Sequence, residues 1–85
     1  MKGTTKSGFE YEISAEIGDD YEFLELCVDL TENVLLMPRV VAKLLGPDQK
    51  ARLMEHCRTE SGRVSTERVM AETFEMIEDA RDVKK

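Results

Sequence analysis

The sequence is poor in residues that commonly carry out chemistry. It has one histidine, His56, two cysteines and no tryptophan. It contains no glycine-rich phosphate loop and no G-x-S-x-G nucleophile motif. A catalytic histidine needs a nucleophile or an acid partner in a pocket, and Cys57 is about 100° away from His56 around a helix. We therefore expect no enzymatic activity, with His56 a partly exposed structural residue that Glu60 can reach.

Metal ligands are equally few. A structural zinc site takes about four nitrogen or sulfur ligands, whereas Cys27, His56 and Cys57 supply three without C-x-x-C spacing. The acidic residues from Glu16 to Asp20 do not follow the register of a calcium loop. We expect no metal and no cofactor, and two cysteines that remain thiols in a reducing compartment.

Long hydrophobic runs are missing as well. The longest, Val34 to Met37, is ended by Pro38, whereas about 20 apolar residues are needed to cross a bilayer. The N-terminus has lysines at 2 and 6 but no apolar segment behind them, unlike a signal peptide. These features predict a cytoplasmic protein that does not bind membranes.

Positive charge is the remaining shortage. Lys and Arg number 12 against 18 Asp and Glu, for a net charge of −6, which disfavours nucleic acid and suits basic protein partners. The chain is 41% hydrophobic, too apolar for a disordered protein, and its 85 residues suffice for one domain. A domain of this size has a small core, so we expect stabilisation by a partner or by self-association.

An N-terminal strand is predicted by strict alternation. Phe9, Tyr11 and Ile13 alternate with Glu10 and Glu12, as in a half-buried strand. A turn at residues 6–8 precedes them, and residues 1–5 are the candidate partner strand of a hairpin.

About four short helices follow in the pattern. The first has Asp19 as its N-cap and Glu22 in the capping-box position, and it runs to Leu30. Its buried stripe comprises Phe23, Cys27 and Leu30, widened by Leu24 and Val28. The second starts near Met37 or Pro38 and ends at Gly46, where a left-handed conformation is easily adopted. The third runs from Pro47 to about Arg58.

The last helix is predicted to start after Ser65 as its cap. Met70, Phe74 and Ile77 form its expected buried stripe, which leaves Met76 as an exposed residue beside Val69 and Val83. Val69, Met76 and Val83 thus form a second apolar edge of this helix. With the apolar face of the strand, this edge gives the predicted partner-binding residues, which are Phe9, Tyr11, Ile13, Val69, Met76 and Val83. The predicted fold is mainly α, with an N-terminal hairpin or strand, in one domain over residues 1–80 and a frayed charged tail over 81–85.

Four sequence segments, in this order, resemble a family of short phage and prophage proteins. Residues 5–13 resemble "TKSGFEFEI", and residues 19–26 resemble "DD-x-E-L-L-E-L". Residues 37–46 resemble "LPKVLxLLLG", and residues 48–64 resemble "EQKxxLxxHxR…GRV". With the final helix in the same place, the likeness covers residues 4–80. The loop at residues 31–34 is less acidic and less glycine-rich than the family's, and the two cysteines are not part of its pattern.

The family is that of the tail assembly chaperones of long-tailed phages. The resemblance implies a chaperone, corresponding to the short form, that coats the apolar-rich, helical tape measure protein in the host cytoplasm and helps recruit tail tube subunits. It also implies weak self-association along the client and absence from the finished virion. The alternative is another acidic interaction module, such as an antitoxin or a regulator that neutralises a basic partner.

Overall fold

The computed structural model describes residues 2–83, with side chains to Ala80. It is mainly helical and begins with a two-stranded antiparallel sheet. The elements are β1 (Lys2–Thr4), β2 (Glu10–Glu12), α1 (Tyr21–Glu32), α2 (Met37–His56) and α3 (Thr66–Val83), with short 3₁₀ segments at Ala15–Asp19 and Val34–Leu36. The predicted fold class is confirmed in outline, with three α-helices in place of about four.

The hairpin carries the alternation that the sequence predicts. Phe9, Tyr11 and Ile13 are buried, while Glu10 and Glu12 are exposed. Gly3 pairs with Tyr11 in the sheet. A Cβ at Gly3 would lie 2.5 Å from the Tyr11 hydroxyl oxygen, so only glycine lets β1 pass this close to the ring.

Helix α2 is the centre of the core and packs against α1, α3 and β2. Its buried side chains are Met37, Val40, Val41, Leu44, Leu45 and Leu53. Gly46 has φ 79° and ψ 170°, outside helical geometry, which agrees with the positive φ predicted there. Pro47 resumes the helix at once, so the two predicted helices join across a kink.

The N-terminus of α1 differs from the prediction by one residue. Asp19 ends the preceding 3₁₀ segment, and Asp20 is the N-cap, accepting the Phe23 amide N–H at 3.0 Å. Asp20 takes the cap because it has an extended backbone, with φ −100° and ψ 104°. Glu22 is therefore at the second helical position, outside capping-box register.

Helix α3 begins as predicted, because the Ser65 hydroxyl accepts the Arg68 N–H at 3.2 Å. Its predicted inner stripe is wrong at Phe74, whereas Met70 and Ile77 are half-buried and pack against the core. Phe74 is 45% exposed and Met76 is 0% exposed, with Val69, Thr73 and Ala80 on the buried side. The helix continues to Val83, into the stretch we predicted as a charged tail, and residues 84 and 85 lie outside the described part of the chain.

Replacing Met76 tests this orientation of α3. Met76→Ala should lower the free energy of unfolding by about 2–5 kcal/mol because it leaves a cavity among core side chains. Phe74→Ala, on the same helix, should cost less than about 1.5 kcal/mol because much of its ring is already in water. Denaturant unfolding of both variants measures the two costs, and a larger loss for Phe74→Ala would restore the predicted stripe.

Candidate functional site

A groove of about 620 Å³ lies along α1. One wall is α1, and the others are the 3₁₀ segment at Ala15–Asp19 and the C-terminal part of α3. Its lining is mostly apolar. The apolar lining residues include Ile17, Tyr21, Leu24, Cys27, Val28 and Ile77. We call this feature the α1 groove.

The exposed wall of the α1 groove is an apolar stripe. Tyr21, Leu24 and Val28 are spaced i, i+3 and i+7, which places them on one side of the helix. Leu24 and Val28 are each 56% exposed and Tyr21 is 70% exposed, whereas Phe23 and Leu30 face the core. The prediction that Leu24 and Val28 widen the buried stripe is therefore wrong. Contiguous exposed apolar side chains of this kind mark binding surfaces in soluble proteins.

An ion pair holds one end of the groove to the core helix. Lys43 Nζ lies 3.4 Å from Asp20 Oδ2, while Asp20 also caps α1. The Phe23 N–H hydrogen bond, with the nearby Lys43 ammonium, holds the pKa of Asp20 below its ordinary value. The N-terminus of α1 is thus fixed against α2, and the groove has a fixed end.

Acidic residues border the apolar stripe on α1. The helix carries four acids and no base, in the order Glu22, Glu25, Asp29 and Glu32. Glu25 is four residues after Tyr21, and Glu32 is four after Val28, so each lies beside the stripe. Within the described residues the ion pairs use the carboxylates of Asp20, Glu55 and Glu72, and the acids of α1 are not among them.

The predicted partner-binding residues lie elsewhere. Phe9, Tyr11, Ile13, Val69 and Met76 are all buried in the core. The expectation that Met76 and Val69 form an exposed edge is wrong, because that side of α3 faces the core. The side chain of Val83 is outside the described part of the chain. In this conformation the five buried residues support the fold and are covered from a partner.

The outer edge of β2 is covered by side chains of α2. Gln49 accepts the Glu12 N–H and donates to the Glu12 carbonyl oxygen, each at 2.6 Å. Arg52 donates to the Glu10 carbonyl oxygen at 3.2 Å. The side chains of α2 thus occupy three of the backbone groups that a further strand would use.

A second polar cluster joins the hairpin loop to α3. The Thr5 and Ser7 hydroxyls donate to the two carboxylate oxygens of Glu72, at 2.6 and 2.8 Å. His56 Nε2 lies 2.8 Å from Ser7 Oγ and 3.9 Å from Glu72, and its ring packs against Phe9. The predicted contact of His56 with Glu60 is replaced by this cluster, because α2 ends at His56.

The cluster has the wrong polarity for a nucleophilic serine. With the Ser7 hydroxyl hydrogen donated to Glu72, the contact with Ser7 Oγ is a hydrogen bond in the His56 tautomer that carries its hydrogen on Nε2. In a serine–histidine pair that performs acyl transfer, Nε2 accepts the serine proton and the carboxylate holds the other ring nitrogen. The arrangement here anchors residues 5–9 to a buried carboxylate.

The Cys57 thiol is buried in the core. Burial, with a contribution from Glu72, raises the pKa of the Cys57 thiol, which keeps it in the unreactive neutral form. Both cysteines are thiols. Over the described residues, no group of three or more His, Cys, Asp or Glu side chains is arranged to hold a metal ion. None of the described helices is long and apolar enough to span a membrane.

Sequence reasoning missed the α1 groove, although the sequence contained a signal for it. Helix α1 has two apolar stripes, one through Phe23 and Leu30 and the other through Tyr21, Leu24 and Val28. Together they cover more of the helix than a single buried face needs. This excess of apolar residues is the sequence signal for a second stripe, one that remains exposed to solvent.

Removing Glu72 tests the hairpin anchor. Glu72→Ala should lower the free energy of unfolding by about 2–4 kcal/mol, because the Thr5 and Ser7 hydroxyls lose a charged acceptor. Glu72→Gln keeps one acceptor oxygen, so its free energy of unfolding should lie between those of the wild type and Glu72→Ala. Glu78→Ala, at an exposed position of the same helix, should change stability by less than about 0.5 kcal/mol. Chemical denaturation measures these changes. Equal losses of unfolding free energy in Glu72→Ala and Glu78→Ala would rule out the anchor.

Acid titration tests the Asp20 contacts. Because the pKa of Asp20 is lower in the folded than in the unfolded chain, its contribution to stability is complete above the ordinary value of 3.8. It is lost as pH falls through the folded pKa. Asp20→Asn keeps a capping side chain but does not titrate. The wild type should be the more stable above pH 4, and the gap should narrow below it in unfolding curves. A gap that does not vary with pH would contradict the lowered pKa.

Comparisons with known proteins add no family to these observations. No protein-family model matches the chain, and searches of curated proteins and of solved structures gave no significant match. The likeness to tail assembly chaperones thus depends on the four sequence segments described above.

Proposed function

We propose that this chain is a non-enzymatic tail assembly chaperone that binds an apolar helical segment of the tape measure protein in the α1 groove. The main observation in support of this proposal is the exposed stripe of Tyr21, Leu24 and Val28. An amphipathic helix laid against such a stripe would remove apolar side chains of both proteins from water. This is the physical task of a chaperone that keeps a helical client soluble.

The electrostatics support the same role. The chain has a net charge of −6, which keeps a coated client soluble through mutual repulsion between complexes. Tail tube recruitment, self-association along the client and action in the host cytoplasm belong to the proposal through the family resemblance. The order of the four motifs over residues 4–80 supports them.

The acidic border of α1 also suits the second class of function, an antitoxin or regulator that neutralises a basic protein. The two functions predict different clients for the same groove. A tape measure gene next to the coding sequence supports the chaperone, whereas an adjacent toxin gene supports the regulator.

Co-expression with helical segments of the tape measure protein of the same genome tests the proposal. The wild type should be co-purified with at least one segment and keep it soluble. Leu24→Ser with Val28→Ser should reduce capture by about tenfold or more, because each leaves an apolar client group without its partner.

The matched control is Val34→Ser with Leu35→Ser. It removes the same two residue types from exposed positions outside the groove lining, with Leu35 81% exposed. Capture should persist in this variant. Equal loss in the two double variants, or no capture of any tape measure segment by the wild type, would refute the proposal.

A further inference from the structure

We infer that the occupant of the α1 groove is an amphipathic helix with Lys or Arg along one flank of its apolar stripe. This inference rests on the proposed protein-binding role and specifies the chemistry of the partner. Its basis is the position, beside the exposed stripe of α1, of acids that form no ion pair within the described part of the chain.

The first argument is the arrangement of like charges. Glu22, Glu25, Asp29 and Glu32 follow one another at spacings of three and four residues. Such spacings bring like charges together on the helix surface, which disfavours the helix. A row of cations on a partner would turn this repulsion into attraction at the edge of the stripe.

The second argument is the helix dipole. The last turn of α1 contains acids and no basic residue, although the C-terminal end of a helix favours cations. Asp29 and Glu32 are thus opposed by the dipole as well as by each other. A partner Lys or Arg placed there would compensate both effects.

The third argument concerns a second copy of this chain as the alternative occupant. A symmetric dimer through the groove would place α1 against α1. Each copy would bring the acids of α1 and no base to the shared interface, and this accumulation of negative charge costs affinity. The groove is therefore unsuited to symmetric self-pairing and suited to a helix of opposite charge.

The length of the stripe sets the size of the occupant. From Tyr21 to Thr31 the helix rises about 15 Å, close to three turns, and both residues line the groove. A segment of about 11–14 residues would cover it, with apolar residues at i, i+3 or i+4, and i+7.

Three synthetic 14-residue helical peptides provide the probe. They share one leucine stripe and carry Lys, Gln or Glu along one flank of it. Fluorescence anisotropy should show binding in the order Lys, Gln, Glu at about 50 mM salt. The preference should shrink at about 500 mM, where exposed charges are screened within a few ångströms.

Matched charge variants locate the effect. Glu25→Gln with Glu32→Gln should weaken binding of the Lys peptide about fivefold at low salt, as expected for the loss of two exposed ion pairs. Glu10→Gln with Glu60→Gln changes the net charge equally at exposed positions outside the groove lining and should leave affinity unchanged. Leu24→Ser with Val28→Ser should abolish binding of all three peptides.

Three results would overturn the inference: no binding of the Lys peptide, equal affinity for the Lys and Gln peptides at low salt, or equal weakening by the two charge variants. Other results distinguish failure of this inference from failure of the proposed function. Binding of the Lys peptide without capture of tape measure segments would remove the chaperone role alone. Capture through Leu24 and Val28 without a charge preference would remove only the inference.

Discussion

The structure depends on the packing of α2 in the middle of a very small domain. Its apolar residues contact α1, α3 and β2, so one helix supplies the shared surface on which the other elements bury their apolar sides. Within residues 2–83 no further layer of helices or strands covers their outer sides. On α3 most of the outer side is polar and needs no cover. On α1 it is not, because Tyr21, Leu24 and Val28 remain in water.

Local signals predicted much of this fold. The alternation of Phe9, Tyr11 and Ile13 determined the buried face of the strand, and Ser65 and Gly46 behaved as cap and positive-φ residue. Each of these features depends only on residues that are close together in the sequence. The break predicted at Gly46 is present, but Pro47 resumes the helix at once, so the second and third predicted helices form one element with a kink.

Long-range contacts account for the larger error on α3. Its sequence offers one stripe through Met70, Phe74 and Ile77 and another through Val69, Met76 and Ala80, and the first looks more apolar. The second is buried because it includes Glu72, whose carboxylate accepts from Thr5 and Ser7 more than 60 positions away. A buried acid looks unfavourable until its donors are known, so the pattern of a single helix could not identify the buried side.

The acids beside the exposed stripe of α1 disfavour contact between two copies of this chain through that stripe. An exposed stripe on a monomer promotes non-specific association, and a stripe bordered by neutral residues would attract any apolar surface. The acids beside it raise the cost of approach for another acidic protein, including a second copy of this chain, and lower it for a basic one. In the proposed complex, the hydrophobic contact would supply affinity and the charge would restrict which partner binds. The acids that weaken α1 as an isolated helix would therefore select the partner of the groove in the proposed complex.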